Sequence, residues 1–406
     1  MSFQQIKYIF LIVCLICMQM KAYSQKMEVT PHLMDVVQLQ KNKELIHDTK
    51  GEVPNAYQSL LANANKALKF GPVSVMEKKD IPPSGNRHDY MSLAPYHWPD
   101  PNKANGLPYI RKDGETNPEV KRYKDKAYLP LLCENVFNLS LAYYYSGNKL
   151  YANHALKLVR VWFLDSATKM NPNMNFSQAI KGVNTGRGAG LIDARHLIKV
   201  IESMALLHQL GLVTEKDLHL LRFWFADFLQ WMQTSKTGME ELHAPNNHGV
   251  WYDALRLSIT LFIGDKTLAN EIVVNAQKRL DSQMDASGRF PLEMARTTSL
   301  HYSVFAIEAF LKIAKMAEST NQDLWNYQGA LGSSIKKALN GILPYLLQEK
   351  KWDGPQIKAF DFSEGIPILH IAANKYDCKN CKESIYKINS TEKDISITYL
   401  LTTNDL

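Results

Sequence analysis

The sequence predicts an all-α protein built from stacked helical hairpins. From about residue 126 onward, apolar residues recur at the three- and four-residue spacing of amphipathic helices almost without a break. Similar glycine-containing turns, at 147–149, 211–213 and 264–266, separate successive runs. Such hairpins bury their apolar faces by stacking, either in an open solenoid or in a closed α/α toroid. Periodicity alone does not separate these two architectures.

The expected helices follow one another along the chain. They span residues 127–145, 150–164, 191–210, 214–233, 252–263, 267–284, 300–317 and 324–348. Thr214 begins the fourth, with Asp217 three residues later, which is close to a capping box. Two helices carry adjacent aromatic residues, at 162–163 and 224–225. This weak internal repeat favours a stack of similar hairpins.

The helical region lies within one expected domain, residues 25–406, because no linker rich in serine, glycine or proline divides the chain. Residues 79–118 are instead rich in proline, glycine, asparagine and aromatic residues. The aromatic content favours an ordered loop or lid over disorder. The tail, residues 352–406, is expected to be less regular, with a possible short strand at 395–401.

The N-terminus has the pattern of a secretory signal. Lys7 supplies positive charge and residues 8–20 form an apolar core. Ala22 and Ser24 place small side chains at the spacing that suits cleavage before Gln25. The apolar run is too short to span a bilayer comfortably. We therefore expect a cleaved signal peptide over residues 1–24 and a periplasmic or secreted protein without a stable membrane anchor. A retained N-terminal anchor is the alternative.

Three cysteines remain after such a signal. Cys378 and Cys381 have the spacing of a redox or metal pair, but no further zinc ligands stand nearby at suitable spacing. In an oxidising compartment a local disulfide is the better interpretation. Cys133 lies in an apolar helical run and is expected to be a buried, inert thiol. No metal site and no cofactor are predicted.

The charge balance limits the classes of partner. The formal net charge is +7, and the basic residues are scattered. This distribution gives little support to nucleic-acid binding, whereas a mild positive balance is compatible with an anionic polysaccharide. The sequence has no G-x-S-x-G, P-loop or H-E-x-x-H motif. His243 and His248, five residues apart, make a poor helical metal pair.

The strongest chemical signal is the run Asn246-Asn247-His248, at an expected helix start after Pro245. Cleaving a uronic-acid polymer by elimination requires a group that neutralises the carboxylate, a base for the C5 proton and an acid for the leaving oxygen. Two amides and an imidazole suit the first two tasks. The alternative is a purely structural role, in which one asparagine caps the helix and the histidine is buried and hydrogen-bonded.

A second set of reactive groups follows in Arg296, His301 and Tyr302. Arg296 and Tyr302 are six positions apart, so on one continuous helix they would point in different directions. They converge only if a helix starts between them. In the structural interpretation, the arginine is a surface residue and the tyrosine caps an apolar helix face.

Further polar and aromatic residues are candidates for substrate binding. They are Tyr96, His97 and Trp98 in the loop, Asn184, Arg187, Arg195 and His196 around a glycine-rich turn, Asn246 and Tyr252 in and after the Asn-Asn-His run, and His301 beside Tyr302. No strand is predicted before the glycines of that turn, which argues against a dinucleotide fingerprint. Structural ion pairs, such as Asp193 with Arg195, and ordinary aromatic packing are equally compatible with the pattern.

These motifs together resemble the alginate lyase superfamily of α/α-toroid polysaccharide lyases. The matching pieces are SLAPYHWPDP, GLPYIRKDGETNPE, GLIDARHL, NNHGVWYD and LEMARTTSLHYS. The resemblance implies an incomplete α/α toroid and β-elimination of a 1,4-linked uronan, with polymannuronate-type alginate as the first candidate. It also implies that Asn247 and Arg296 neutralise the substrate carboxylate, while His248 and Tyr302 transfer the protons.

The sequence differs from the better-known alginate lyases in two places, so substrates other than alginate stay open. Val250 stands where the better-known alginate lyases tend to have tyrosine, and the SLAPYHWPDP loop is more similar to the broader group. Glucuronan or another uronan is therefore the alternative substrate. A glycoside hydrolase would need two carboxylates flanking the bond. Its candidates, which form no persuasive pair in the sequence, are Asp89, Asp193, Asp253 and Glu293. A non-catalytic glycan-binding protein is the third interpretation.

Overall fold

The computed structural model describes residues 29–46 and 52–391 of the chain. The expected signal peptide and the possible strand at 395–401 lie outside these ranges. The described helices are α1 Val36–Leu45, α2 Glu52–Ala67, α3 Lys124–Ser146, α4 Lys149–Val159, α5 Leu197–Gln209, α6 Glu215–Thr234, α7 Lys236–Leu242, α8 Asn247–Ile263, α9 Lys266–Gln283, α10 Pro291–Met294, α11 Ser299–Ala317, α12 Ile335–Leu346, α13 Ile366–Tyr376 and α14 Lys379–Thr391. The described strands are β1 Met91–Leu93, β2 His97–Trp98, β3 Ile110–Arg111 and β4 Phe176–Ala179.

The helices form two layers. Helices α3, α5, α8, α11 and α13 contact one another in that order and make the inner layer. The outer helices pack behind them, with α2 and α4 on α3, α6 and α9 on α8, and α12 on α11 and α13. This double layer of hairpins is an α/α toroid, so the predicted all-α fold class is confirmed. None of the described helices is long and apolar enough to cross a bilayer.

Burial patterns distinguish the two layers. The inner helix α8 is buried at most of its positions, as expected for a helix with neighbours on several sides. The outer helix α6 buries residues spaced three and four apart on one face. On that face Trp224 and Phe225 pack against Phe163, with ring centroids 4.8 and 5.9 Å apart. The repeated aromatic pairs of the sequence therefore meet in the core.

Local signals fix several helix ends. Gly147, Gly211 and Gly264 follow α3, α5 and α8 with φ of 69°, 74° and 88°, a left-handed conformation that side chains with a Cβ rarely adopt. The Thr214 side chain accepts a hydrogen bond from the backbone N–H of Asp217 and so caps α6. The predicted glycine turns and the predicted start of this helix are confirmed.

One predicted helix begins later than expected. The pattern suggested a helix over 324–348, but α12 starts at Ile335. Residues 324–334 form turns instead. A Cβ on Gly329 would lie 1.9 Å from a carboxylate oxygen of Asp281, and Gly332 has a φ of 73°. The Asn326 side chain also bonds to Asp323. The tertiary contact with Asp281 and the local Asn326–Asp323 bond together outweigh the apolar periodicity of the segment.

Two further regions are more regular than predicted. Helices α1 and α2 precede the region in which the sequence indicated helices. The tail was expected to be less regular, yet α13 and α14 lie within it. The prediction is wrong there because an amphipathic segment, with Ile368 and Leu369 fully buried, packs against α11 and α12. Residues 191–196, expected to be α-helical, are 3₁₀ turns leading into α5.

The cysteine predictions are confirmed by the structure. Cys378 and Cys381 form a disulfide just after Asp377, which ends α13 in a left-handed conformation with a φ of 51°. Cys133 is a free thiol that is fully buried in α3. Burial raises the pKa of this thiol well above its ordinary value, so it stays protonated and unreactive.

The N-terminal loop reaches the inner helices through two small sheets. Strand β1 pairs in parallel with β4, and β2 pairs antiparallel with β3, so that His97 lies opposite Arg111. The second pairing folds the loop back on itself as a hairpin. Tyr96, just before β2, and Asp113, just after β3, thereby come close to Tyr302 and Arg296.

Candidate active site

Asn247 lies at the first position of helix α8 and is 1% exposed. Asn246 is the N-cap, and its side chain accepts a hydrogen bond from the backbone N–H of His248. The backbone N–H and the side-chain Nδ2 of Asn247 each donate to Glu293, both at 2.7 Å. Glu293 belongs to the short helix α10. A single buried carboxylate therefore holds the Asn247 backbone and its side-chain amide together.

His248 is held by a different carboxylate. Its Nδ1 lies 2.6 Å from Oε1 of Glu241, at the end of α7. The Glu241 side chain is buried, whereas that of His248 keeps 22% of its surface exposed. A carboxylate beside Nδ1 favours the tautomer with the proton on that nitrogen. The lone pair is then on Nε2, where it can accept a proton.

Arg296 and Tyr302 converge as the sequence required, because α11 begins at Ser299 between them. The guanidinium carbon of Arg296 lies 3.6 Å from the centroid of the Tyr302 ring. Asp113 in the N-terminal loop accepts hydrogen bonds from Nε at 3.0 Å and from Nη2 at 2.8 Å. The arginine is thus stacked on the phenol and fixed by the loop.

The Tyr302 hydroxyl donates a hydrogen bond of 2.9 Å to the Tyr96 hydroxyl. Burial raises the pKa of Tyr302 well above its ordinary value; Tyr96 adds to the rise, and Arg296 opposes it. The phenol therefore keeps its proton across the neutral range in the free protein. A neutral phenol is suited to donating a proton rather than to removing one.

Asp113 connects the loop to Arg296 and to the next residue in the chain, Thr297. Besides Arg296, it accepts hydrogen bonds from the backbone N–H and the hydroxyl of Thr297, at 3.2 and 3.1 Å. Burial alone would raise the pKa of Asp113, but hydrogen bonds from Arg296, Arg111 and Thr297 hold it well below its usual range. The carboxylate is therefore charged whenever the protein is folded near neutral pH.

Basic groups lie around the glycine-rich turn and the loop. Nη2 of Arg187 donates to the Gln178 side chain at 2.9 Å, and its Nε is buried without a partner among the described residues. Burial lowers the pKa of His97, and the charges of Arg187 and Arg111 lower it further. Gln178 has a φ of 46°, which is strained for a residue with a Cβ. This positive environment suits a polyanion.

Comparison with known proteins shows the family to which the chain belongs. A family model described as "Alginate lyase" matches residues 74–352. An alginate lyase from Bacteroides ovatus is 36% identical, with a TM-score of 0.87, over 93% of this chain and 100% of that one. The chain belongs to the alginate lyase family. Its predicted class, a polysaccharide lyase, is confirmed.

More distant structures show the same fold at low sequence identity. Alginate lyase A1-III from Sphingomonas species A1 is 16% identical, with a TM-score of 0.54, over 88% of this chain and 92% of that one. A variant of A1-III complexed with a tetrasaccharide gives 16% identity and a TM-score of 0.57, over 94% and 98% of the two chains. A search of curated proteins gave no match.

The structure directs one predicted binding residue toward the outer layer of helices. Tyr252, predicted to bind substrate, is 1% exposed, and its hydroxyl donates to the carbonyl of Met232 at 2.9 Å. The hydroxyl, the polar group of this side chain, is therefore occupied by the outer helix α6. The sequence pattern placed it wrongly because helical spacing does not show which face of α8 meets the outer helix α6.

The other predicted binding residues lie in varied surroundings. Arg195 lies over Trp251 and Phe305, with 5.9 and 5.2 Å from its guanidinium carbon to their ring centroids. Asn184 accepts a hydrogen bond from the backbone of Ile180 within its turn. His301 is half-exposed, and its Nδ1 lies 2.6 Å from Glu364. Substrate contact by these residues stays a prediction.

Trp98 and His196 complete the set of predicted binding residues. Nε1 of Trp98 donates to the carbonyl of Glu115 at 3.0 Å, and the Lys112 ammonium lies 5.3 Å from its ring centroid. His196 ends the 3₁₀ segment before α5. Burial lowers the pKa of His196 to about 3, and Arg195 and Lys199 contribute to the decrease. This imidazole is neutral in the folded protein near neutral pH.

Sequence reasoning missed the carboxylates that hold the reactive groups. Asp113 and Glu241 were not singled out, and Glu293 was considered only as a hydrolase carboxylate. Of the other hydrolase candidates, Asp193 bonds to Lys126 at 2.6 Å, and Asp253 is fully buried against Arg279. A short motif such as Asn247-His248 does not reveal which distant acidic residue will form a hydrogen bond with it. The described residues contain no group of three or more acidic, histidine or cysteine side chains that could hold a metal ion.

Proposed function

We propose that this lyase is exported and cleaves alginate, with polymannuronate as its first substrate, by β-elimination. Asn247 and Arg296 neutralise the carboxylate of the uronic acid at the cleavage point, because elimination builds negative charge onto that group. His248 removes the C5 proton, and Tyr302 donates a proton to the departing glycosidic oxygen. The C4–O bond breaks as the C4–C5 double bond forms, which leaves an unsaturated uronide.

The observation that carries this assignment is the different hydrogen-bond partner of each catalytic group, Glu241 for His248 and Tyr96 for Tyr302. Glu241 at Nδ1 leaves the Nε2 lone pair of His248 available as a base. Burial keeps the Tyr302 phenol neutral, so its proton is available as an acid. After one turnover the histidine holds an extra proton and the tyrosine lacks one. Exchange with solvent or between these groups restores both.

Export and substrate are supported by separate observations. The signal pattern of residues 1–24 and the Cys378–Cys381 disulfide both favour an oxidising compartment outside the cytoplasm. The related Bacteroides ovatus protein is described as an alginate lyase. Glucuronan is the alternative, since it presents the same carboxylate and a 1,4 linkage. The relation between the C5 hydrogen and the leaving oxygen in each polymer decides whether one group can serve both proton transfers.

The test is ultraviolet absorbance of unsaturated uronides over a panel of polymannuronate, polyguluronate, glucuronan and glycosaminoglycans. We expect absorbance to rise on polymannuronate. A rise on glucuronan alone would move the substrate to the alternative. New reducing ends without absorbance would contradict elimination and favour hydrolysis, whereas binding without either product would favour a glycan-binding protein.

A further inference from the structure

Glu293 directs both of its carboxylate oxygens at a single residue, Asn247. Oε1 accepts the backbone N–H and Oε2 accepts Nδ2–H, each at 2.7 Å. Both residues are 1% exposed. The Oδ1 atom of Asn247 is buried and has no partner among the described residues. The amide orientation is therefore set by Glu293 and by no other hydrogen bond that the described residues make to the amide.

Burying the Glu293 carboxylate costs folding free energy, which a role in helix capping alone does not explain. Neutral side chains such as serine or asparagine satisfy the first N–H groups of a helix, and Asn246 already does so for α8. Burying a carboxylate disfavours its charged form, and burial raises the pKa of Glu293. A charged acid is also placed beside the amide that is proposed to meet a substrate carboxylate. A glutamate at position 293 is explained if Asn247 needs a partner that a neutral side chain cannot provide.

That requirement is acceptance of two N–H groups at once. A carboxylate has two acceptor oxygens, whereas a glutamine in its place has one acceptor and one NH₂ donor. If the glutamine oxygen takes the backbone N–H, its NH₂ faces the Asn247 side chain. The Asn247 amide must then turn its oxygen toward residue 293. The edge that carried Nδ2 hydrogens would carry an oxygen instead.

We propose that Glu293 is a positioning residue for neutralisation of the substrate carboxylate. By accepting from both N–H groups of Asn247, it holds the amide so that the second Nδ2 hydrogen is presented to the substrate. The inference rests on the proposed function, in which Asn247 meets that carboxylate. Glu293 itself does not touch the substrate; it acts through Asn247.

Glu202 provides a matched control. It is also a buried glutamate, and it accepts backbone N–H groups from His32, Leu33 and Met34 at 3.0, 2.8 and 3.1 Å. It lies on α5 and holds the N-terminal segment, and none of its hydrogen bonds within the described residues goes to Asn247. Glu202→Gln tests the loss of a buried, backbone-capping carboxylate without any change at the proposed site.

The experiment measures kcat and KM on polymannuronate for Glu293→Gln, Asn247→Ala and the double variant, with unfolding midpoints for each. We expect Glu293→Gln to lower kcat by about tenfold to a hundredfold, with KM within about threefold. The double variant should be no slower than Asn247→Ala, since residues that act as a unit are non-additive. Glu202→Gln should lower the unfolding midpoint and leave kcat within about twofold.

Other outcomes overturn the inference. A Glu293→Gln variant with unchanged kcat, or a double variant whose losses multiply, would show that Glu293 has only a structural role. If Glu293→Gln does not fold, Glu293→Asp, which keeps a carboxylate, replaces it in the comparison with Asn247→Ala and the double variant. The same non-additive losses of kcat are expected. The absence of unsaturated product from the unmodified lyase on every polymer would overturn the proposed function itself, whereas normal wild-type turnover with an active Glu293→Gln overturns only this inference.

Discussion

The hydroxyl of Tyr302, on inner helix α11, donates a 2.9 Å hydrogen bond to the hydroxyl of Tyr96, in the N-terminal loop. The two residues are 206 positions apart. A second connection, from Arg296 to Asp113, lies beside the first. The loop therefore completes the half of the site that carries the proposed acid, and the reactive groups depend on a segment distant in sequence.

Tyr302→Phe removes the proposed acid and should lower kcat by about 10²–10⁴-fold with little change in KM, because proton donation to the leaving oxygen is lost. Tyr96→Phe is the matched variant, since it deletes the other hydroxyl of the same hydrogen bond. We expect it to retain most of the turnover. Steady-state absorbance assays on polymannuronate compare them. The reverse order of activities would assign the acid to Tyr96.

Glu241→Gln should lower kcat by about tenfold or more. The new amide can present its NH₂ to His248, which favours the tautomer with the proton on Nε2 and blocks the base. Glu240→Gln is the control, because Glu240 is adjacent in the chain but accepts from the backbone N–H of Gly188. Equal kcat values for the two variants would remove Glu241 from the mechanism. Initial rates at saturating substrate provide the measurement.

Asp113→Asn should lower kcat/KM by about tenfold, because Arg296 and Thr297 lose the charged acceptor that fixes them and the loop. The free energy of unfolding should fall by only about 1 kcal/mol, since this pair is partly exposed. Asp353→Asn breaks an exposed arginine pair, that with Arg289. Its kcat/KM should stay within about twofold of the wild type. A similar loss in both variants would contradict a specific role for Asp113.

Acid should destabilise the lyase partly through His196. Its folded-state pKa is lowered to about 3 by burial, while the unfolded state has the ordinary value of 6.5. Below pH 6.5 the unfolded state binds a proton that the folded state does not, so stability is lost as pH falls from 6.5 toward 3. The loss is on the order of 2 kcal/mol at pH 4.5.

Urea unfolding at pH 7 and at pH 4.5 measures this effect. The difference in unfolding free energy between the two pH values should be smaller in His196→Gln than in the wild type, because glutamine does not titrate. Identical pH dependence in the two proteins would show that His196 is not protected from protonation in the folded state.

Local rules account for much of the fold. Glycine turns, the Thr214 cap and apolar periodicity located most inner and outer helices, since each depends on residues within a few positions. The same rules failed at residues 324–334, where Gly329 lies against Asp281 from a different helix. They also failed in the tail, where α13 packs on α11 and α12, and α14 packs on α13. Tertiary contacts outweighed periodicity in both places.

The sequence by itself determined the all-α class and the short motifs that hold Asn247, His248, Arg296 and Tyr302, because spacing and residue type are local properties. Only the tertiary structure decided which acids hold these groups. The partners of His248, Asn247 and Arg296 lie 7, 46 and 183 positions away. Each comes from a separate element, and helical periodicity carries no information about which distant carboxylate the folded layers bring within hydrogen-bond distance.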